Sequence, residues 1–303
     1  MTTRIGFKRV VVGLNQSTPE RATVRVAAEL AGLLRIDLFG LFIEDPAVAG
    51  FAGLAGAREY QLLGRRWQQA DPESLSRQIE LCARSAQRLI DEAARGIGVP
   101  SRFEIVRAAV GEALKAAGGG DIVIVAEPQN PSDRAIAPFP QLLHAAFSSE
   151  ATVLYVPRRI ARAHGPVVAV AMSPDDPSIA AATAIAAAAR ENLIVLDASD
   201  TGAEPPGAGP QVTRAGGVPV GRLRIAPRAL QDQRSLCSAL GGLGERMIVV
   251  TRGAFGEGDG DKPADLASLC GVPVLLVEPA DGAGGEETPG AGASDTETSG
   301  EAA

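Results

Sequence analysis

A strand followed by a helix opens the chain near residue 8, and the same pair opens again at residue 166. Residues 8–14 (KRVVVGL) form a short apolar run. They lead into NQSTPERATVRVAAELAGLL, where Ala22, Val26, Leu30 and Leu33 recur at helical spacing and make one apolar stripe. Residues 166–172 (PVVAVAM) and the following SPDDPSIAAATAIAAAAR repeat both features. Buried strands that alternate with amphipathic helices confine a chain to a mostly parallel sheet with helices on its faces. Doing so twice makes it a tandem duplication.

The first series continues with strands at 37–43, 102–107, 121–126 and 151–156. A helix carries Leu75, Ile79, Cys82, Ala86, Leu89 and Ala93 at spacings of three and four, and shorter helices are expected at 111–117 and 141–147. In the second series, strands are expected at 192–197, 220–225, 246–251 and 272–277, with a helix over 230–240. Residues 198–219 are rich in Gly, Pro and Ala and show no helical period, so the second copy has lost a helix. The expected organisation is an α/β unit over 1–160, a degenerate copy over 161–279 and a disordered acidic tail over 280–303. Each unit holds a five-stranded parallel sheet, and the two pack as an intramolecular pseudo-dimer.

Ser17 and Glu20 have capping-box spacing with Pro19 in the first turn, and Asp176 followed by Pro177 caps the corresponding helix of the second copy. The long connection at 45–73 holds Val48, Phe51, Leu54, Tyr60, Leu62, Leu63 and the single tryptophan, Trp67. So many large apolar side chains either cover the sheet edge or a dimer seam of their own domain, or form a docking element. Covering the edge or seam is the expected role.

Charge and rare residues exclude several functions. The net charge is −7, but 280–303 contains six acids and no base, leaving 30 acids against 29 bases elsewhere. Such a body has no basic excess to hold nucleic acid. No apolar run reaches the ~18 residues of a membrane span, and the N-terminus lacks a signal-peptide pattern, so a cytoplasmic protein is expected. His144 and His164 are the only histidines, too few for a His-based triad or zinc cluster. Cys82, Cys237 and Cys270 lie far apart within apolar patterns and are expected to be reduced, small core residues. Ser17 and Ser173 have no general base nearby in sequence, and the acid pairs Glu44–Asp45 and Asp175–Asp176 sit at strand ends or caps, so no enzyme is expected. GEGDGD at 256–261 lacks the spacing of a calcium loop and is too acidic for phosphate, so a surface loop is expected.

Residues 9–46, RVVVGLNQSTPERATVRVAAELAGLLRIDLFGLFIEDP, resemble the opening of a universal stress protein domain. LFGLFIEDPAVAGFAGLAGAREY (38–60) is similar to a bacterial tandem subgroup of that family. The resemblance implies flavodoxin-like layering, of the adenine nucleotide alpha hydrolase-like type, with adenine nucleotide bound in some members. Those members use an acid after the first strand. After the fourth strand they use Gly-x-x-Gly, nine residues, and Gly-Ser/Thr. Glycines let backbone N–H groups reach phosphate, and the hydroxyl adds a donor at a helix N-terminus.

Matched residue by residue, the first copy has Asn15 for the acid and keeps Ser17, but has Ala126, Gln129, Phe139 and Pro140 at the glycine-motif positions. The second has Ala171, then Val250, Gly253, Pro263 and Ala264. In DIVIVAEPQNPSDR (121–134), Glu127 would repel a phosphate and two prolines remove donors. Asn15, Ser17, Glu127 and Gly253 are therefore the remnants of two pockets. The resemblance and these losses imply a non-catalytic stress-related or regulatory protein without a cofactor, acting on protein partners, with homodimer formation left open. The alternative is a sensor of ATP, another adenine nucleotide or a small ligand in a reshaped first pocket.

Overall fold

The computed structural model describes residues 6–14, 21–61, 64–114, 117–129, 134, 139–199, 211–230, 232–256 and 262–279. The acidic tail, the cap at 15–20 and most of the 256–261 loop lie outside these residues. The first half runs β1 (Arg9–Leu14), α1 (Arg21–Leu34), β2 (Asp37–Glu44), α2 (Pro46–Ala52), β3 (Arg58–Gln61), β4 (Arg66–Gln69) and α3 (Pro72–Ile97). It continues with β5 (Ser101–Arg107), α4 (Val110–Leu114), β6 (Asp121–Ala126), α5 (Phe139–Phe147) and β7 (Thr152–Val156). The second half runs β8 (Val167–Ala171), α6 (Pro177–Ala189), β9 (Leu193–Asp197), β10 (Gln211–Ala215), β11 (Val218–Arg224), α7 (Gln233–Leu240), β12 (Met247–Thr251), α8 (Lys262–Cys270) and β13 (Val274–Val277).

The expected pseudo-dimer takes the form of one continuous sheet in the order β10-β11-β9-β8-β12-β13-β7-β6-β1-β2-β5. Within each half the five main strands follow the order 3-2-1-4-5, all parallel. The two fifth strands, β7 and β13, pair antiparallel, and Leu154 faces Leu275 at the centre of that pairing. A local two-fold axis passes through this pair, as self-complementary packing requires. Both leucines are fully buried.

Helices cover both faces, which is why the inner strands are apolar throughout. On one face α1, α3 and α6 enclose a core that includes Val10, Ile90, Leu154 and Ile185. On the other, α4, α5, α7 and α8 enclose Val11, Val123, Leu143 and Leu236. α3 starts at Asp71, whose carboxylate accepts from the Glu73 and Ser74 N–H groups, and stops at Gly98 with φ +83°, a left-handed cap. Its close approach to the sheet depends on Gly40, where a Cβ would lie 2.9 Å from both Ile90 and Phe103.

Two local expectations need revision. Between β9 and β11 no helix occurs among the described residues, but β10 pairs antiparallel with β11 and extends the sheet edge, so the Gly/Pro-rich stretch contributes a strand. The 45–73 connection forms a short helix and a β3–β4 hairpin, with the Tyr60 and Trp67 rings tilted against each other at 5.3 Å between centroids. Leu62 and Leu63 lie outside the described residues, and the other large side chains do not cover the sheet edge. Phe51, Leu54 and Trp67 are 54%, 63% and 61% exposed, and among the described residues of this stretch only Ala52 and Ala57 are buried.

Candidate functional site

In an open α/β sheet, ligands bind beyond the carboxyl ends of the strands where the strand order reverses. Here the reversals fall between β1 and β6 in the first half and between β8 and β12 in the second. The second corner is filled by the chain itself. Asp176, buried at the N-terminus of α6, accepts hydrogen bonds from Ser178 N–H at 2.9 Å and Met172 N–H at 2.8 Å, and a further one from the Thr251 hydroxyl. Those donors belong to the ends of β8 and β12 and the first turn of α6. The expected cap is therefore present, and its carboxylate takes the place where a helix N-terminus would receive an external anion.

At the first corner, Glu127 follows β6 and is buried, with its Oε2 accepting from Arg158 N–H at 3.0 Å and from the Ser268 hydroxyl at 3.2 Å. Arg134 lies 3.2 Å from Oε1 and extends to Asp265 at 3.6 Å. Ser268 and Asp265 belong to α8, in the other half of the molecule. Glu127 is thus part of a clamp between halves. Among the described residues, the buried Tyr155 hydroxyl near Glu127 has no partner of hydrogen-bonding geometry. Burial first, then the Glu127 charge, pushes that phenol up to about 12.

Arg252 occupies the matching position of the second copy. Its N–H donates to Val277, the last residue of β13, as the Glu127 N–H donates to Val156, the last residue of β7. Its guanidinium crosses in the opposite direction, donating to Phe147 O and to Ala151 O at 3.0 Å, and it pairs with Glu278. The carbonyl at the end of α5 is satisfied in this way. Strand register aligns Thr251, not Val250, with Ala126, and aligns Ala171 with Leu14. Glycine-motif spacing alone placed the second copy one residue out of step.

Of the four expected remnants, Asn15 and Ser17 lie outside the described residues, and Glu127 and Gly253 stand in different halves. Gly253 has φ +86° and borders a hollow of about 230 Å³ lined by Phe147, Arg252, Phe255, Gly256, Pro263 and Leu276. Phe139 is buried in the core, where the motif has a glycine. Proline stands second in both α5 and α8 (Pro140 and Pro263), removing an N–H from each first turn. Sequence reasoning missed Arg252, Thr251, Ser268 and Arg158. The only signal was that Arg252 directly precedes Gly253.

Among the described residues, no cluster of His, Cys, Asp or Glu is placed to hold a metal ion, and no helix is long and apolar enough to cross a membrane. No protein-family model matches the sequence, and no curated protein matches it significantly. Solved structures do. A universal stress protein from Archaeoglobus fulgidus DSM 4304 superposes with a TM-score of 0.58 at 12% identity, covering 91% of this chain and 99% of that one. A functionally unknown protein from Pseudomonas aeruginosa PAO1 gives 0.49 at 16%, covering 93% and 96%. A putative universal stress protein from P. aeruginosa UCBPP-PA14 gives 0.48 at 16%, covering 91% and 94%. The chain has the universal stress protein fold, and over nine-tenths of its length it follows the A. fulgidus protein.

Proposed function

We propose that this chain is a non-catalytic stress-related or regulatory module of the tandem universal stress protein type, cytoplasmic, that works through protein contacts and binds no nucleotide. One observation carries the reading: among the described residues, the carboxylates of Asp176 and Glu127, near the strand-order reversals, are committed to bonds within the chain. Asp176 supplies the anion at the second corner, and Glu127 supplies a buried carboxylate at the first. A triphosphate at either place would meet negative charge that is already hydrogen-bonded. The surface formed by Phe51, Leu54, Tyr60 and Trp67 is the candidate contact region, since exposed aromatic and aliphatic clusters of this kind mark interaction sites. Calorimetric titration with ATP, ADP and AMP tests the reading. No saturable heat is expected at physiological nucleotide levels, and stoichiometric binding of any of the three would overturn it.

A second reading rests on the hollow beside Gly253. At about 230 Å³ it lies below the usual ~300–1,000 Å³ range of small-molecule sites, so it would take only a small ligand. Native mass spectrometry of freshly purified protein distinguishes this reading, because a retained ligand adds mass.

A further inference from the structure

β5 closes one edge of the long sheet, and among the described residues it pairs only with β2, in register from Ser101 to Arg107. Where that pairing begins, the Leu38 N–H donates to Pro100 O. In a parallel pair, residues whose backbone bonds inward alternate with residues whose backbone does not. Counting on from Pro100, the backbone groups of Arg102, Glu104 and Val106 point to β2. Those of Ser101, Phe103, Ile105 and Arg107 point away from the sheet, and among the described residues no other backbone group bonds to them. The edge is partly apolar, with Ile105 52% exposed. An open row of this kind is a template for another strand.

We propose that this strand is a contact between two copies of the chain, which pair β5 with β5 antiparallel about a two-fold axis at Phe103. Phe103 exchanges its N–H and C=O with its counterpart, and Ser101 exchanges its own with Ile105 of the second copy. Arg102 and Glu104 project from one face of the strand. This register sets Arg102 opposite Glu104 of the second copy, and the axis repeats the pair. Arg102 is available for it, since its side chain is 76% exposed and reaches Asp37 only at 3.8 Å. Charge selects the register. An axis at Glu104 lengthens the pairing but opposes two carboxylates, and like charges directly opposite destabilise a sheet. An axis at Ile105 sets Glu104 against Val106 and gives Arg102 no acid. The same two charges guard the edge against strands that do not match them. The resulting interface is self-complementary, and it uses neither corner of the sheet nor the Trp67 hairpin.

Sedimentation velocity of the full chain over a concentration series tests the proposal. The mass should rise with concentration from that of one chain to that of two. Glu104→Arg opposes like charges on both sides of the axis and should raise the dimer dissociation constant at least about tenfold. Arg102→Glu should do the same, and the double variant R102E/E104R, which restores opposite charges, should recover the dimer. Both side chains are exposed, so each variant should keep the circular dichroism and melting temperature of the dilute wild-type chain. In hydrogen exchange, the Phe103 and Ile105 amides should slow as the chain is concentrated. The mass of one chain at every concentration, a dimer indifferent to Glu104→Arg, no recovery in the double variant, or a dimer lost in Trp67→Ala instead would each overturn the proposal.

Discussion

Glu127 and Arg252 hold the same place in the two halves, directly after the fourth strand, and they differ in charge and in what they grip. Glu127 draws in N–H and O–H donors, from Arg158 in its own half and Ser268 in the other. Arg252 extends donors to the Phe147 carbonyl that closes α5 and to the Ala151 carbonyl before β7. A symmetric dimer must place identical side chains at both positions. A tandem chain is free to specialise each one, and here both are used to join the halves. The residues that directly follow both fourth strands are part of the internal seam.

Arg252→Ala has the largest expected effect. It leaves two carbonyls and Glu278 without their cation, and denaturant unfolding should show a loss of about 3 kcal/mol. Glu127→Ala should cost less, about 2 kcal/mol, because Arg134 is one-third exposed and regains water. A loss of stability larger than that of Arg252→Ala would reverse the ranking and place the main seam at the first corner.

Glu127 also has a signature in the titration of Tyr155. The folded chain holds the phenol proton up to about pH 12, against about 10 in an unfolded chain. The stability it adds is complete below pH 10 and disappears as the pH rises towards 12. Denaturation curves at rising alkaline pH should therefore fall less steeply in Tyr155→Phe. In Glu127→Gln the late phenol titration, followed by ultraviolet absorbance, should move down but stay raised, since burial is the larger cause.

Asp176→Ala removes the α6 cap and should cost about 1 kcal/mol, with Asp176→Asn costing less, as a neutral amide oxygen still accepts from the Ser178 N–H. Trp67→Ala is expected to change stability by less than about 0.5 kcal/mol, because its side chain is mostly in water. A larger change would mean that the hairpin supports the fold and is no free surface.

The layered fold was legible because period-two and period-3.6 patterns are local properties of the chain. The ten main strands are present where those patterns place them, within one or two residues for most ends, and Asp176 caps α6 as expected. The β3–β4 hairpin was not legible, since four-residue strands rich in Arg and Gln carry no apolar alternation. Strand β10 was hidden for a related reason: it gains its partner only from β11 and lies beside Gly- and Pro-rich sequence. At the candidate site, residue types alone show that Ala126, Gln129 and Phe139 are not glycines. The new roles of Glu127 and Arg252 were not legible, because their partners Ser268 and Phe147 lie more than one hundred residues away and are brought close only by the pairing of β7 with β13.

The central claim is that the bonded Asp176 and Glu127 carboxylates leave the chain unable to bind nucleotide, and thermal unfolding in millimolar ATP with magnesium tests it most directly. A ligand that binds only the folded state must raise the melting temperature as its concentration exceeds its dissociation constant. The account predicts melting curves that superpose with and without the nucleotide. A concentration-dependent rise, reversed by removing ATP, would contradict it.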